Sequence, residues 1–240
     1  DLRLFMSQWI SGFAVNEGGR KSFQFFDARG TALHKIYLTE KSNVEAYDTL
    51  IAEYTNPDQA EFNVSTDPVP VKPADLLDTD INVNAFQDDW NNMKDSHEFF
   101  GLLKKHRISR TQALRLAPTG RSNKIDLERF KKVMDSCAEN QVPIMVFTGN
   151  TGCIQIHTGN IHKIVPMEQW FNVLDPEFNL HLRIDMVESV WHVVKPSTDG
   201  DVNSLELFDA KGEMIVQIFG KRKPGVPELE TWRGVLSKAI

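Results

Sequence analysis

The side chains with most to offer chemically in this 240-residue sequence are its histidines, its two cysteines and two clusters of basic residues. Trp90, Met93, His97 and Phe100 recur at helical spacing and predict an apolar stripe on one helix running from about Phe86 to Lys105. A histidine on such a stripe is ordinarily a core residue with one ring nitrogen satisfied. The alternative is a ligand to a metal held inside a flat apolar cofactor. Haem suits that setting, because its iron takes one basic nitrogen while the macrocycle takes aromatic and aliphatic walls. Spacing alone does not choose between the two.

The other histidines are easier to discount. Cys153 and His157 have a metal-like gap, but on a strand residues four apart are separated by roughly 13 Å, too far to share an ion. His157 and His162 flank Thr158-Gly159-Asn160-Ile161, which predicts a tight turn and a solvent-facing imidazole pair still short of a zinc site. His106, beside Lys104, Lys105 and Arg107, reads as part of a solvated basic face.

Basic residues gather at Lys104–Arg107 with Arg110, and again at Lys195 and Lys221-Arg222-Lys223. Solvated faces explain such clusters most simply; an anion clamp for carboxylates or phosphates is the functional reading. Residues 86–117 also admit a helix–turn–helix DNA reader, against which stand the acidic net charge and the shortness of the helix Arg110–Ala117. The sequence has no glycine-rich phosphate loop, HExxH motif or Ser/His/Asp signature.

These residues are positioned by elements that occur twice. Ser22–Gly30 matches Ser204–Gly212, and Leu33–Tyr37 matches Ile215–Phe219, each copy reading as a hairpin with an Asp-Ala-basic-Gly turn. Leu2–Leu4 aligns with Leu180–Leu182, Phe13–Val15 with Trp191–Val193, and Tyr47–Ile51 with Trp232–Leu236. Residues 1–54 thus form the later part of a first repeat whose front is expected to be missing. Residues 55–85, with Pro57, Pro68, Pro70 and Pro73, form a linker, and 86–240 a complete second repeat. In the second repeat Ser109-x-x-Gln112 is a capping box, and a third helix spans about Asp126–Glu139. Eight short strands follow between Ile144 and Phe219. The expected fold is α+β: duplicated lobes, each a large antiparallel sheet with flanking helices.

Composition bounds the function. With 27 Lys+Arg against 33 Asp+Glu the net charge is −6, and the pI is near 5.7, which disfavours general nucleic-acid or membrane-surface binding. No apolar run of membrane-spanning length occurs, so no membrane insertion is expected. Cys137 and Cys153 cannot build a disulfide framework, which points to a reducing cytosol.

The stretch Trp90-x-x-Met93-x-x-x-His97-x-Phe99-Phe100-x-Leu102-Leu103-Lys104 resembles the haem-ligand helix of the bacterial haemin-degrading or haemin-transport family (HemS/ChuS-like). Met145–Ile156, Lys195-Pro196-x-x-Asp199-Gly200, Ser204–Phe208, Asp1–Phe5 and Gln24–Asp27 are similar too, so that the resemblance covers essentially the whole chain. It implies a duplicated fold holding one haem in a cleft, with His97 as axial ligand and Arg3 as the catalytic arginine on the opposite face. Arg110, Lys195 and Arg222 match basic positions toward the propionates, and Phe5, Phe147 and Phe219 match apolar pocket positions. Phe219 departs from relatives that carry Tyr there, which removes a phenolic hydrogen bond. The implied function is cytoplasmic haem trafficking or ring-opening degradation with an external electron donor, and the implied partners are a haem importer or a downstream haem-degrading enzyme. A pure carrier, or less directly a DNA-binding regulator, is the alternative.

Overall fold

The computed structural model describes residues 1–59, 64–68, 74–223 and 225–240 and divides into two units. Pro70 and Pro73 of the expected linker lie outside the described residues. The smaller unit comprises residues 2–71 with 149–155; the larger comprises residue 1, 72–148 and 156–240.

In the smaller unit, strands β1 (Leu2–Leu4), β2 (Ser11–Glu17), β3 (Arg20–Phe26) and β4 (Ala32–Tyr37) precede helix α1 (Val44–Tyr54). β2, β3 and β4 form an antiparallel meander, and β1 pairs with residues 153–155, with Arg3 opposite Ile154. The β3–β4 turn is built by Asp27, whose Oδ1 accepts from the backbone N–H groups of Arg29 and Thr31 at 2.8 Å each. Gly30 closes it at φ 74°, a left-handed conformation that glycine adopts without a Cβ penalty. Asn43 caps α1 by accepting from the Ala46 N–H, and Tyr47 is the buried residue of that helix.

The larger unit begins with helices α2 (Val83–Asn91), α3 (Phe99–His106) and α4 (Arg110–Arg115), then strand β5 (Ser122–Ile125) and helix α5 (Leu127–Glu139). Strands β6 (Ile144–Gly149), β7 (Cys153–Gly159, whose residues 153–155 are counted with the smaller unit), β8 (Ile164–Met167), β9 (Trp170–Leu174) and β10 (Asn179–Arg183) follow. Strands β11 (Ser189–Lys195), β12 (Val202–Phe208) and β13 (Met214–Gly220) and helix α6 (Glu230–Ala239) complete the chain. The main sheet runs β7-β6-β13-β12-β11-β5, and β10-β9-β8 make a second, three-stranded sheet. All of the registers found are antiparallel.

Side-chain alternation gives the main sheet two faces. On one, Ile144, Val146, Leu205, Leu207, Val216 and Ile218 pack with Phe130, Met134 and Cys137 of α5 and Trp232 of α6. At about 1.5–3 kcal/mol per large apolar side chain, this is the principal source of cohesion in the unit. Cys137 is fully buried there, and burial pushes its thiol up to about 12. On the other face Val193 and Phe208 pack with Phe86, Trp90, Phe99 and Leu114 of α2–α4.

The β12–β13 turn repeats the β3–β4 turn closely. Asp209 Oδ1 accepts from Lys211 N at 2.9 Å and Glu213 N at 2.8 Å. Gly212 has φ 72°, and the same residue-to-residue irregularity interrupts both ladders, between Leu207 and Phe208 and between Phe25 and Phe26. Tyr47 and Trp232 are the buried aromatic rings at matching places in α1 and α6.

His106, expected on a solvated basic face, is instead 10% exposed, with Nε2 2.6 Å from Asp89 Oδ2 and its ring edge-to-face with Phe86. Three expectations about the elements also need correction. The helix expected over Phe86–Lys105 is broken: α2 ends at Asn91, and Ser96–Glu98 form a 3-10 turn ahead of α3. The cause is local, because Asn92, Asp95 and Ser96 compete with helical backbone for hydrogen bonds. Asp95 accepts from His97 N, and Glu98 Oε2 accepts from Lys94 N. Second, His157 and His162 do not flank a hairpin. The N–H groups of His162 and Lys163 donate to Asp175, β8 pairs with β9, and His157 stacks on Phe178 with ring centroids 3.7 Å apart. Third, the expected strands omitted β5, which pairs along β11. Among the described residues no helix is long and apolar enough to cross a membrane.

Candidate functional site

His97 sits on the 3-10 turn between α2 and α3, not on the buried stripe that its spacing suggested. Trp90, Met93 and Phe99 fill the core, while the His97 side chain is 70% exposed and Phe100 is 66% exposed. The ring is not loose. Its Nδ1 lies 2.6 Å from Asp95 Oδ1, and the same oxygen accepts from the His97 backbone N–H at 2.8 Å. The carboxylate makes Nδ1 the protonated nitrogen and leaves the lone pair of Nε2 directed outward. The His97 N–H and then its ring hold the Asp95 carboxyl below the usual range, against partial desolvation.

The segment carrying this pair is pinned to neighbouring loops of the same unit. Thr198 N donates to Lys94 O at 2.9 Å. Arg222, just beyond β13, lies near enough to add its positive charge to the field at Asp95. Its guanidinium is 3.7 Å from Asp199, yet its Nε is buried with no hydrogen-bond partner among the described residues. A buried, unpaired guanidinium N–H is costly and points to an acceptor that binds there.

Arg110 and Lys195 lie deeper, and neither stands free as an anion clamp. Arg110 grips Glu206 with Nε at 2.6 Å and a terminal nitrogen at 2.8 Å, and Lys195 Nζ donates to the same carboxylate at 2.6 Å. Gln217 and Ser204 also donate to Glu206. Burial raises the Glu206 carboxyl, but Arg110 and Lys195 more than offset this and hold it well below the ordinary range. Burial pulls the Lys195 ammonium down to about 8. Both cations also lie over the Phe99 ring, at 5.0 and 4.5 Å from its centroid. Lys195, expected to face a propionate, is 3% exposed and committed to Glu206; Arg110 keeps partial exposure.

Phe147 and Phe219 meet edge-to-face at 5.4 Å on β6 and β13. Gln217 is opposite Phe147 and Glu206 in the ladder, so the aromatic pair shares a sheet face with the charged cluster. Both rings are half-buried. The larger unit carries His97, Arg110, Lys195, Arg222, Phe147 and Phe219, linked in part: Arg110 and Lys195 through Glu206, Phe147 with Phe219, and Arg222 through its charge at Asp95. Arg3 and Phe5 belong to the smaller unit, where both are exposed; Phe5 N donates to Gly152 O. A cavity of about 820 Å³ lined by residues such as Arg121, His192, Asn203 and Arg233 holds none of the expected residues.

Sequence reasoning missed Asp95, Asp199 and Glu206. Asp95 had a local signal, the Asp95-x-x-Glu98 spacing of a helix start. Glu206 had none, because its partners arrive through strand register.

Fold and site define an antiparallel α+β protein that presents an exposed, carboxylate-held imidazole, His97, with the charge of Arg222 acting on that carboxylate. The chain belongs to the haemin-degrading HemS/ChuX family, whose domain description matches residues 1–54 and 107–239. It is 37% identical to the hemin transport protein HemS of Yersinia enterocolitica over 242 residues, covering 99% of this chain and 69% of that protein. Apo-PhuS, a heme-binding protein from Pseudomonas aeruginosa, superposes with a TM-score of 0.94 at 45% identity, over 99% of this chain and 70% of that one. ChuS, an E. coli heme oxygenase, gives a TM-score of 0.87 at 36% identity, covering 100% and 72%.

Proposed function

We propose that this chain binds haem through His97 and serves haem-iron acquisition in the cytoplasm, receiving imported haemin for trafficking, ring-opening degradation with iron release, or both. The observation that carries the reading is the His97–Asp95 pair, an exposed imidazole whose Nδ1 is held so that Nε2 is available to a metal. The surroundings fit the cargo. Phe100, Phe147 and Phe219 offer apolar surface to a porphyrin, and the unpaired Arg222 Nε offers a propionate a buried donor. Arg110, whose side chain keeps partial exposure, is the second cation assigned to a propionate. Lys195 acts indirectly, by holding Glu206 against Arg110. The names of the relatives, a hemin transport protein, a heme-binding protein and a heme oxygenase, support the same reading.

Haem is cargo in the carrier branch and substrate in the degradative branch, where its iron and ring supply the redox chemistry. Arg3 is assigned to turnover and Phe5 to apolar contact on the strength of the family resemblance. Both cysteines are free, in keeping with a reducing compartment. An importer on one side and a haem-degrading enzyme on the other are the partners this role requires. The DNA-reading alternative fares worse: α4 has six residues, and its Gln112, Ala113 and Leu114 are buried.

Titration with haemin tests the reading. The wild-type chain is expected to develop a saturable Soret band that His97→Ala loses or shifts; an unaltered spectrum in that variant sinks the assignment. A reductant added to the complex with catalase present separates the branches, since loss of the band with a tetrapyrrole product marks degradation and a constant spectrum marks carriage. Arg3→Ala is expected to bind normally and turn over slowly.

A further inference from the structure

Resting on the haem reading above, we propose that Asp95 is the positioning residue of the His97 ligand. Its carboxylate sets the tautomer and the ring orientation of His97 and raises the donor strength of Nε2 toward iron. The geometry is unusually constrained for an exposed pair. A single oxygen, Asp95 Oδ1, accepts both the His97 backbone N–H at 2.8 Å and the ring Nδ1–H at 2.6 Å. The ring is thus referred to the backbone of its own turn rather than left to rotate about its side-chain torsions.

The turn itself is held at both ends. Asp95 is extended (φ −145°, ψ 137°) as the N-cap of Ser96–Glu98, Glu98 Oε2 returns to Lys94 N at 3.1 Å, and Lys94 O accepts from Thr198 N at 2.9 Å. A histidine that donates Nδ1–H to a carboxylate is a more basic ligand through Nε2 than one facing water. It also favours the higher charge state of a bound metal, because the negative charge lies across the ring from the ion. Asp95 has a second, purely structural task as a helix cap, and the test must separate the two.

Asp95→Asn keeps a good capping acceptor and removes the charge. Asp95→Ser keeps a capping hydroxyl but lacks the reach to Nδ1. Both variants are expected to retain the wild-type thermal midpoint without haem and to bind haemin about tenfold more weakly or worse. The ferric/ferrous midpoint potential of their complexes is expected to rise, by about 59 mV if a tenfold loss falls on the ferric state alone. Affinity and potential equal to wild type in both variants, with His97→Ala still losing the haem spectrum, overturn the role of Asp95 and leave the haem reading standing. A wild-type spectrum in His97→Ala overturns the ligand assignment and this inference with it.

Discussion

Glu206 is a charge solvated almost wholly by protein. Fully buried, it accepts from Arg110, Lys195, Gln217 and Ser204. Two cations against one anion leave the cluster with a positive charge, which Glu206 spreads beneath Phe99 rather than cancels. Removing the anion strands a buried ammonium, so Glu206→Gln is expected to cost about 3–5 kcal/mol at neutral pH, read from the urea midpoint. Its carboxyl is depressed in the folded state relative to 4.5, so the unfolded chain binds the proton more readily. That contribution is complete above pH 4.5 and drains away as pH falls below it, and the variant should lose less stability than wild type over the same acid range. An equal acid slope in the two would show that other carboxylates govern it. His97 stood out as a candidate by its type and neighbours, whereas its exposure was not legible, because spacing cannot see a helix break. Asp95 was missed, although its spacing to Glu98 is that of a helix start. Glu206 was invisible, since Lys195 and Arg110 reach it across strands and from a separate helix.

Elements whose signals are local were the legible ones. The Asp-Ala-basic-Gly turns announce both hairpins, and Ser109 caps α4 by accepting from Gln112 N as the spacing requires. The Gln112 side chain, expected to reach back for the cap, instead donates to Leu76 O and Asp78. Tertiary partners outbid a local one. β5 escaped notice because four residues with one buried side chain carry too little alternation to register as a strand. Where α6 seats on β13, packing leaves no room. A Cβ on Gly220 would stand 2.5 Å from Trp232 Cγ, and Trp232 is fully buried with its indole N–H donating to Asn203 O. Gly220→Ala is therefore expected to cost about 1–3 kcal/mol through overpacking, as a lowered thermal midpoint. An unchanged midpoint would mean that α6 shifts freely on the sheet.

At the scale of the whole chain, burial is uneven. β2 has no buried residue, and β3 and β4 contribute Ser22 and Leu33, whereas six residues of β12 are buried. Backbone opening should follow that distribution. Native-state hydrogen exchange is expected to find the amides of β2–β4 exchanging at lower free energy than those of β12 and β13; uniform protection would contradict it. The strand order β6-β13-β12 could not be read in advance, because neighbours some seventy residues apart leave no periodic trace. The cysteines supply a practical corollary. Each unit contains one, Cys137 in the larger and Cys153 in the smaller, both shielded and both with thiols raised by burial. An alkylating reagent pulsed onto the native chain should find neither sulfur until its surroundings come apart, so the two labelling rates become separate clocks for the two halves of the molecule.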